Sequence, residues 1–231
     1  MSENNSVIFI HPDGTSPSHY AAGRLASEGT DGRLNWDEMT NAGVYLGHLD
    51  DQIVATSNAG AVAHAYGIKP VADSYGLDEE GNPYTSLSGQ SGTTIMEEAI
   101  AEGKATAVIN SGFIAEPGTG VFLADAESRD DVATITAEIV ESGTNAILGG
   151  GEIHYLPKGT VGRYGEEGIR EDGRNLIQEA EDMGYTVVYT AEELQALPAD
   201  TEKGLGIFAA EDTYNDLPEE ALKQEGLVDA E

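Results

Sequence analysis

The sequence predicts an α/β protein: a mostly parallel central sheet with helices on both faces. Three observations carry that expectation. Short β-rich apolar runs alternate with amphipathic stretches along the whole length. Several of the runs are apolar throughout, as strands covered on both faces are. Cap and turn residues stand where one run hands over to the next. The β-α-β-α order, with no internal repeat or low-complexity linker, predicts one sheet in a single domain over residues 1–231.

The elements follow in order. VIFI (7–10) reads as a buried strand ending at His11-Pro12-Asp13-Gly14. Ser16 as N-cap and Pro17 at the first helical position predict the first helix. GVYLGHL (43–49) and QIVAT (52–56) are the next strands, and the Ala- and Gly-rich segment behind Ser57 is a helix slim enough to lie close on the sheet. Residues 70–92, rich in Gly, Asp, Ser and Pro, read as an irregular surface loop. Thr94-Ile-Met-Glu97 forms a capping box for a helix running toward Gly103. A buried strand at 105–110 precedes a helix within 130–143, which has acids in its first turn and Gly143 at its end. A strand at 145–151 enters a tight glycine turn, followed by a helix within 173–184, a strand at 186–189, a helix near 191–197 and a strand at 204–210. The tail beyond shows no apolar face for a closing helix, which fits either a ragged surface terminus or a domain whose remainder lies elsewhere.

Charge excludes some partners. The chain has 11 Lys+Arg against 42 Asp+Glu, a net charge of −31, so neither nucleic acid nor an anionic membrane is an expected partner. The acids are dispersed among apolar periods, which argues for a folded protein in a salt-rich setting, where screening relieves self-repulsion. An acidic protein from an ordinary setting is the alternative. The absence of cysteine excludes disulfides and thiolate metal sites. No run approaches the ~18 apolar residues of a membrane span. MSENNSVIFI lacks the basic start and long apolar core of a signal peptide, which suits a cytosolic protein and an exported one without its leader equally.

In parallel sheets functional groups collect beyond the carboxyl ends of strands. Those ends deliver Asp13, Ser57, then Glu116 and Thr119 from SGFIAEPGTG, with Arg129 shortly after. Carboxylates and hydroxyls are hard donors for Mg²⁺, Asp or His suits Zn²⁺, and an arginine grips phosphate. A serine at a helix N-terminus sits where the dipole favours an anion. The set describes metal-assisted phosphoryl transfer through a serine. Each residue also has an ordinary reading. Asp13-Gly14 makes a turn, Ser57 caps a helix, Glu116 is a solvated loop acid, and Arg129 pairs with surrounding acids. No histidine pair has metal-ligand spacing, and the glycines 149–151 lack the Lys-Ser/Thr of a phosphate-binding loop.

These same stretches resemble the alkaline phosphatases, in a halophilic or marine bacterial form. IFIHPDG is similar to the family's strand-Asp-Gly element. ATSNAGAVAHAYGIK is similar to the nucleophile segment, where Asp-Ser-Ala leads into small residues and a Thr-Gly-x-Lys turn. SGFIAEPGTGVFLADAESR resembles the stretch from a Mg²⁺ ligand to the phosphate-binding arginine, and ILGGG and GYTVVYTAEEL keep the family's order. The resemblance implies phosphate monoester hydrolysis through a phosphoserine. In it Ser57 is the nucleophile and a metal ligand, Arg129 the phosphoryl clamp, Asp13 the bridge between Mg²⁺ and Zn²⁺, and Glu116 and Thr119 the Mg²⁺ ligands. It departs from the pattern at Thr56, where Asp is usual, at Glu116, where Asp is common, and at Gly118, which aligns with the family's Thr unless the loop shifts by one to Thr119. Most of the family's Zn²⁺ ligands lie in the second half of a longer chain. The resemblance therefore implies an N-terminal half, one piece of a split, nicked or truncated chain, with a second polypeptide supplying the rest in the split case. It also implies small phosphate monoester substrates, a homodimer, and a periplasmic or secreted location. A non-catalytic phosphate- or metal-binding fragment, or a related phosphodiesterase or sulfatase, are the alternatives. TSNAG lacks the sulfatase signature.

Overall fold

A computed structural model describes residues 6–213; the predicted tail lies largely outside them. The chain divides into two compact units, 1–46 and 47–231.

In the first unit, α1 (Pro17–Glu28) begins as expected, with Ser16 at the N-cap and a proline in its first turn. The box is closed by His19, whose Nδ1 accepts the Ser16 N–H at 2.9 Å. Tyr20 stacks on Trp36 with ring centroids 3.5 Å apart, and Arg24 grips Asp37 through two nitrogens, which fastens α1 to the 3₁₀ turn Asn35–Glu38. The expected strands at 7–10 and 43–49 do not form. Val7 is 92% exposed and Val44 90%. A uniformly apolar run becomes a strand only when a neighbour takes its backbone hydrogen bonds and layers cover its faces. Among the described residues no ladder includes either run. The run at 52–56, in the second unit, fails for the same reason, with Ile53 88% exposed.

The second unit holds the sheet. α2 (Ser57–Tyr66) and α3 (Ile95–Ala101) precede β1 (Ala107–Phe113); α4 (Pro117–Gly120) and α5 (Val132–Glu141) lead to β2 (Ala146–Gly150). α6 (Glu152–Tyr155) and α7 (Leu176–Asp182) lead to β3 (Thr186–Val188), and α8 (Ala191–Gln195) to β4 (Gly204–Ile207). All pairings are parallel, in the order β1-β2-β4-β3. Right-handed crossovers then place α5 and α7 on one face and α8 on the other, because only β3→β4 steps backward across the sheet. α5 does pack against α7.

Local signals decide the helix starts. The Thr94–Glu97 box opens α3 and a matching Thr190–Glu193 box opens α8. Asp131 caps α5 by accepting the Thr134 N–H, so the expected acid acts from the cap. Gly143 follows α5 at φ +82°. The core is centred on Ile135, Ile139, Ile147, Leu176, Leu205 and Ile207, all fully buried between helices and sheet. Residues 70–92 are irregular, as expected, but they are not all surface. Tyr75 is buried in the core, and a bridge to Ala126 pins its backbone.

Candidate functional site

The site is built at the carboxyl end of β1. The strand runs to Phe113, three residues past its expected end, and its register against β2 shifts between Ile109 and Phe113. The chain then turns sharply. Phe113 C=O accepts the Glu116 N–H at 3.2 Å, and Pro117 begins α4 at its first position. Glu116 C=O accepts the N–H groups of Thr119 and Gly120 at 3.0 and 2.8 Å. Behind this turn, buried Tyr75 donates its hydroxyl to Ala115 C=O at 3.1 Å. Gly120 is required there, since a Cβ would lie 1.9 Å from the Tyr75 hydroxyl oxygen.

Of the five expected residues, the fold joins two directly. Arg129 Nη2 lies 3.2 Å from Glu116 Oε2, and both side chains stay partly exposed. A pair of that exposure contributes about 0–1 kcal/mol, so it opens readily for a ligand. Thr119 is close by, but its hydroxyl is largely engaged: it donates toward Ile114 C=O (2.8 Å) or Glu116 C=O (3.1 Å) and accepts from Asn110 Nδ2 at 2.9 Å. One lone pair remains for a cation. Gly118, the alternative in this loop, has no side chain to offer.

Ser57 stands exposed at the first position of α2. It is not the cap. Thr56 takes that place, its Oγ1 accepting the Ala59 N–H at 3.4 Å and the Asp73 N–H at 3.3 Å. The residue that replaces the usual Asp thus holds the helix start to the following loop, leaving the Ser57 hydroxyl outside the cap. The buried Ala59, Ala61 and Ala65 of α2 let it pack against α4 and α3, with Gly60 half-buried. Asp13 lies in the first unit, in a turn where its N–H donates to His11 C=O at 3.1 Å.

Two further polar residues hold the β1 turn. Asn110 Oδ1 accepts the Gly112 N–H at 2.8 Å, and Asp212 Oδ1 accepts the Phe113 N–H at 3.0 Å. Sequence reading passed over both. Asp212 was findable by the rule that found Glu116, as a carboxylate just beyond the end of a parallel strand.

Burial pushes the Tyr75 phenol up, and the nearby Glu116 adds to it. Among the described residues no three His, Asp or Glu side chains are grouped to hold a metal. That donor chemistry suits Mg²⁺, which takes one or two carboxylates and keeps its waters, and it does not make a four-donor Zn²⁺ set.

The alkaline phosphatase family model matches residues 3–229. The chain belongs to the alkaline phosphatase family. It is 27% identical to the repressible alkaline phosphatase of Saccharomyces cerevisiae, over 96% of this chain and 40% of that protein. An alkaline phosphatase of Escherichia fergusonii is 25% identical, over 88% of this chain and 46% of its own length. The chain therefore spans less than half the length of these relatives. The solved cold-active alkaline phosphatase from Shewanella sp. superposes with a TM-score of 0.67 at 24% identity, covering 87% of this chain and 45% of that one. This likeness shows the α/β fold. A variant of the TAB5 alkaline phosphatase has been solved with Mg bound in its M3 site; it matches at TM-score 0.65 and 20% identity, over 84% of this chain and 49% of that one.

Proposed function

We propose that this chain carries the nucleophile side of a phosphate monoester hydrolase. The observation that carries the reading is the Glu116–Arg129 pair at the end of a parallel strand, in a chain of this family. The Ser57 oxygen attacks phosphorus in line and gives up its proton to solvent, the P–O bond to the alcohol breaks on the opposite side, the leaving oxygen takes a proton from water to depart as the alcohol, and a phosphoserine is left for water to hydrolyse. Arg129 exchanges Glu116 for the non-bridging phosphoryl oxygens, a bidentate charge-assisted contact stronger than the pair it replaces. Glu116 so released, with the spare lone pair of Thr119, would hold Mg²⁺, and Asp13 and Ser57 are the proposed donors shared with Zn²⁺. A bound cation there lowers the pKa of a coordinated hydroxyl and offsets phosphoryl charge. The remaining Zn²⁺ donors would come from sequence beyond this chain, in a second polypeptide or a continuation of this one. Periplasmic or secreted location, a homodimer and adaptation to salt belong to the same proposal. No helix among the described residues is long and apolar enough to cross a membrane.

The test is aryl-phosphate hydrolysis with metal analysis, at high and low salt, on the chain alone and with the complementary half of a relative. Ser57→Ala is expected to abolish turnover of the reconstituted protein while inorganic phosphate still binds. Unchanged turnover would exclude Ser57 as nucleophile. A second reading, a phosphate-binding fragment without turnover, is favoured by the absence of a three-member metal group among the described residues. It predicts phosphate binding with no hydrolysis even after the other half is added.

A further inference from the structure

Phe113 leads into the turn that carries Glu116, and both of its backbone polar groups, which belong to successive peptides, are committed. Its C=O receives the Glu116 N–H, and its own N–H is held by Asp212, 99 residues away in sequence. After β4 the chain crosses the carboxyl ends of its neighbours. Phe208 N–H donates to Gly149 C=O, while Ala209 C=O accepts from Gly151 and Glu152 and Ala210 C=O from Ile153. This crossing delivers Asp212 and Thr213 to β1, where the Thr213 hydroxyl bonds the carbonyls of Ser111 and Gly112. From the other side, Asn110 closes on the Gly112 N–H. Asp212, Asn110 and Glu116 converge on one point: a Cβ at Gly112 would meet Asp212 Oδ1 at 3.0 Å, Asn110 Oδ1 at 3.4 Å and Glu116 Cγ at 3.8 Å. The β1 irregularity is thus locked at successive peptide groups where the ladder to β2 is interrupted.

The geometry points to Asp212 as a positioning residue for the Glu116–Arg129 pair, acting through the Phe113 peptide and seconded by Asn110. It rests on the phosphate-binding role proposed above for Arg129. Asp212 touches no substrate in this role; its acceptor oxygen fixes the turn from which Glu116 meets the guanidinium. Without that acceptor the Gly112–Phe113 peptide is still held at its carbonyl by Thr213 but no longer at its N–H, so the turn that follows loosens and Glu116 loses its fixed approach to Arg129. A carboxylate is not needed for this, only an oxygen at the Oδ1 position.

The experiment compares Asp212→Ala, Asp212→Asn and Asp212→Glu in the full 231-residue chain, with Arg129→Ala as control. Two quantities are read: affinity for inorganic phosphate in Mg²⁺, and hydrogen exchange at the Phe113 amide. Asp212→Ala is expected to weaken phosphate on the order of 10-fold, in line with the cost of small misplacements at a binding site, and to speed exchange at Phe113. Asp212→Asn keeps the acceptor and is expected to restore both. Asp212→Glu keeps the charge but moves the oxygen, and is expected to resemble Ala. If Ala does not fold, the contrast between Asn and Glu decides alone. Wild-type phosphate affinity in a folded Ala or Glu variant, or equal loss in Asn, overturns the assignment while leaving the reading of Arg129 intact. No phosphate binding by the wild type, or binding unchanged by Arg129→Ala, removes that reading and the assignment with it.

Discussion

Asp125 holds a proton to unusually high pH, and the consequence for stability can be worked through. It follows α4, and its Oδ1 accepts the Tyr66 hydroxyl of α2 at 2.8 Å. Its own N–H donates to Glu138 Oε2 of α5 at 3.0 Å, and Glu97 of α3 also faces it. Burial is the main cause that pushes its carboxyl from 3.8 up to about 6; the Glu97 and Glu138 charges add to this, and the Tyr66 hydrogen bond opposes it. The folded state therefore keeps a proton between about pH 4 and 6 that the unfolded chain releases. Stability contributed by this group falls as pH rises through that window, and the penalty is complete above about 6. A shift near two units corresponds to at most about 3 kcal/mol, and partial solvent contact reduces this to about 1–2 kcal/mol. Asp125→Asn keeps an acceptor for Tyr66 and cannot ionise. It is expected to stabilise the protein by about 1–2 kcal/mol at pH 8, which is about 2–8 °C in Tm for a chain of this size. The gain should vanish by about pH 4. Thermal unfolding followed by circular dichroism across that range, at fixed ionic strength, measures it. His154, which burial holds down at about 4, contributes the opposite slope, its stability being lost as pH falls from about 6.5 toward 4. It is present in both proteins and cancels in their difference. A difference independent of pH, or an Asn variant less stable at pH 8, would refute the reasoning.

Other expectations concern packing. Gly120→Ala would place its methyl group 1.9 Å from the Tyr75 hydroxyl oxygen and should cost about 1–3 kcal/mol by overpacking. In a Tyr75→Phe background that clash loses its partner, so a double-mutant cycle by urea unfolding should show a smaller penalty there; equal penalties would place the clash elsewhere. On α5, Thr136 is fully buried and its hydroxyl has no hydrogen-bond partner among the described residues. Thr136→Val keeps the shape and should stabilise by about 1 kcal/mol; a loss of stability would reveal a hidden partner.

The five helices that sequence reading placed after residue 56 formed where their signals stood. Thr94 with Glu97 is a self-contained unit: the cap and the acid that answers it are three residues apart, and no other part of the chain is needed. The strands from β1 onward were equally readable, because each apolar run found a parallel neighbour in the same segment. The runs at 7–10, 43–49 and 52–56 carried the same signal and did not form strands. Apolar composition states that a run requires cover, but not that cover is at hand. The site divides in the same way. That Glu116 and Arg129 follow the end of β1, and that Ser57 opens α2, was legible in the sequence. That the Thr56 cap would also receive the Asp73 N–H, and that the Thr119 hydroxyl of α4 would be engaged by Asn110 of β1, depended on contacts between separate parts of the chain.

By itself the sequence determined the α/β class, the family, and the starts and stops of most helices. These rest on interactions within a few residues, which a linear pattern records. The tertiary structure alone decided which groups meet: Arg129 with Glu116 across 13 positions, and Asp212 with the Phe113 peptide across 99. Such meetings depend on strand order and on the path of the chain over the sheet's carboxyl edge. Those follow from the joint packing of all the elements, and no single stretch of sequence contains them.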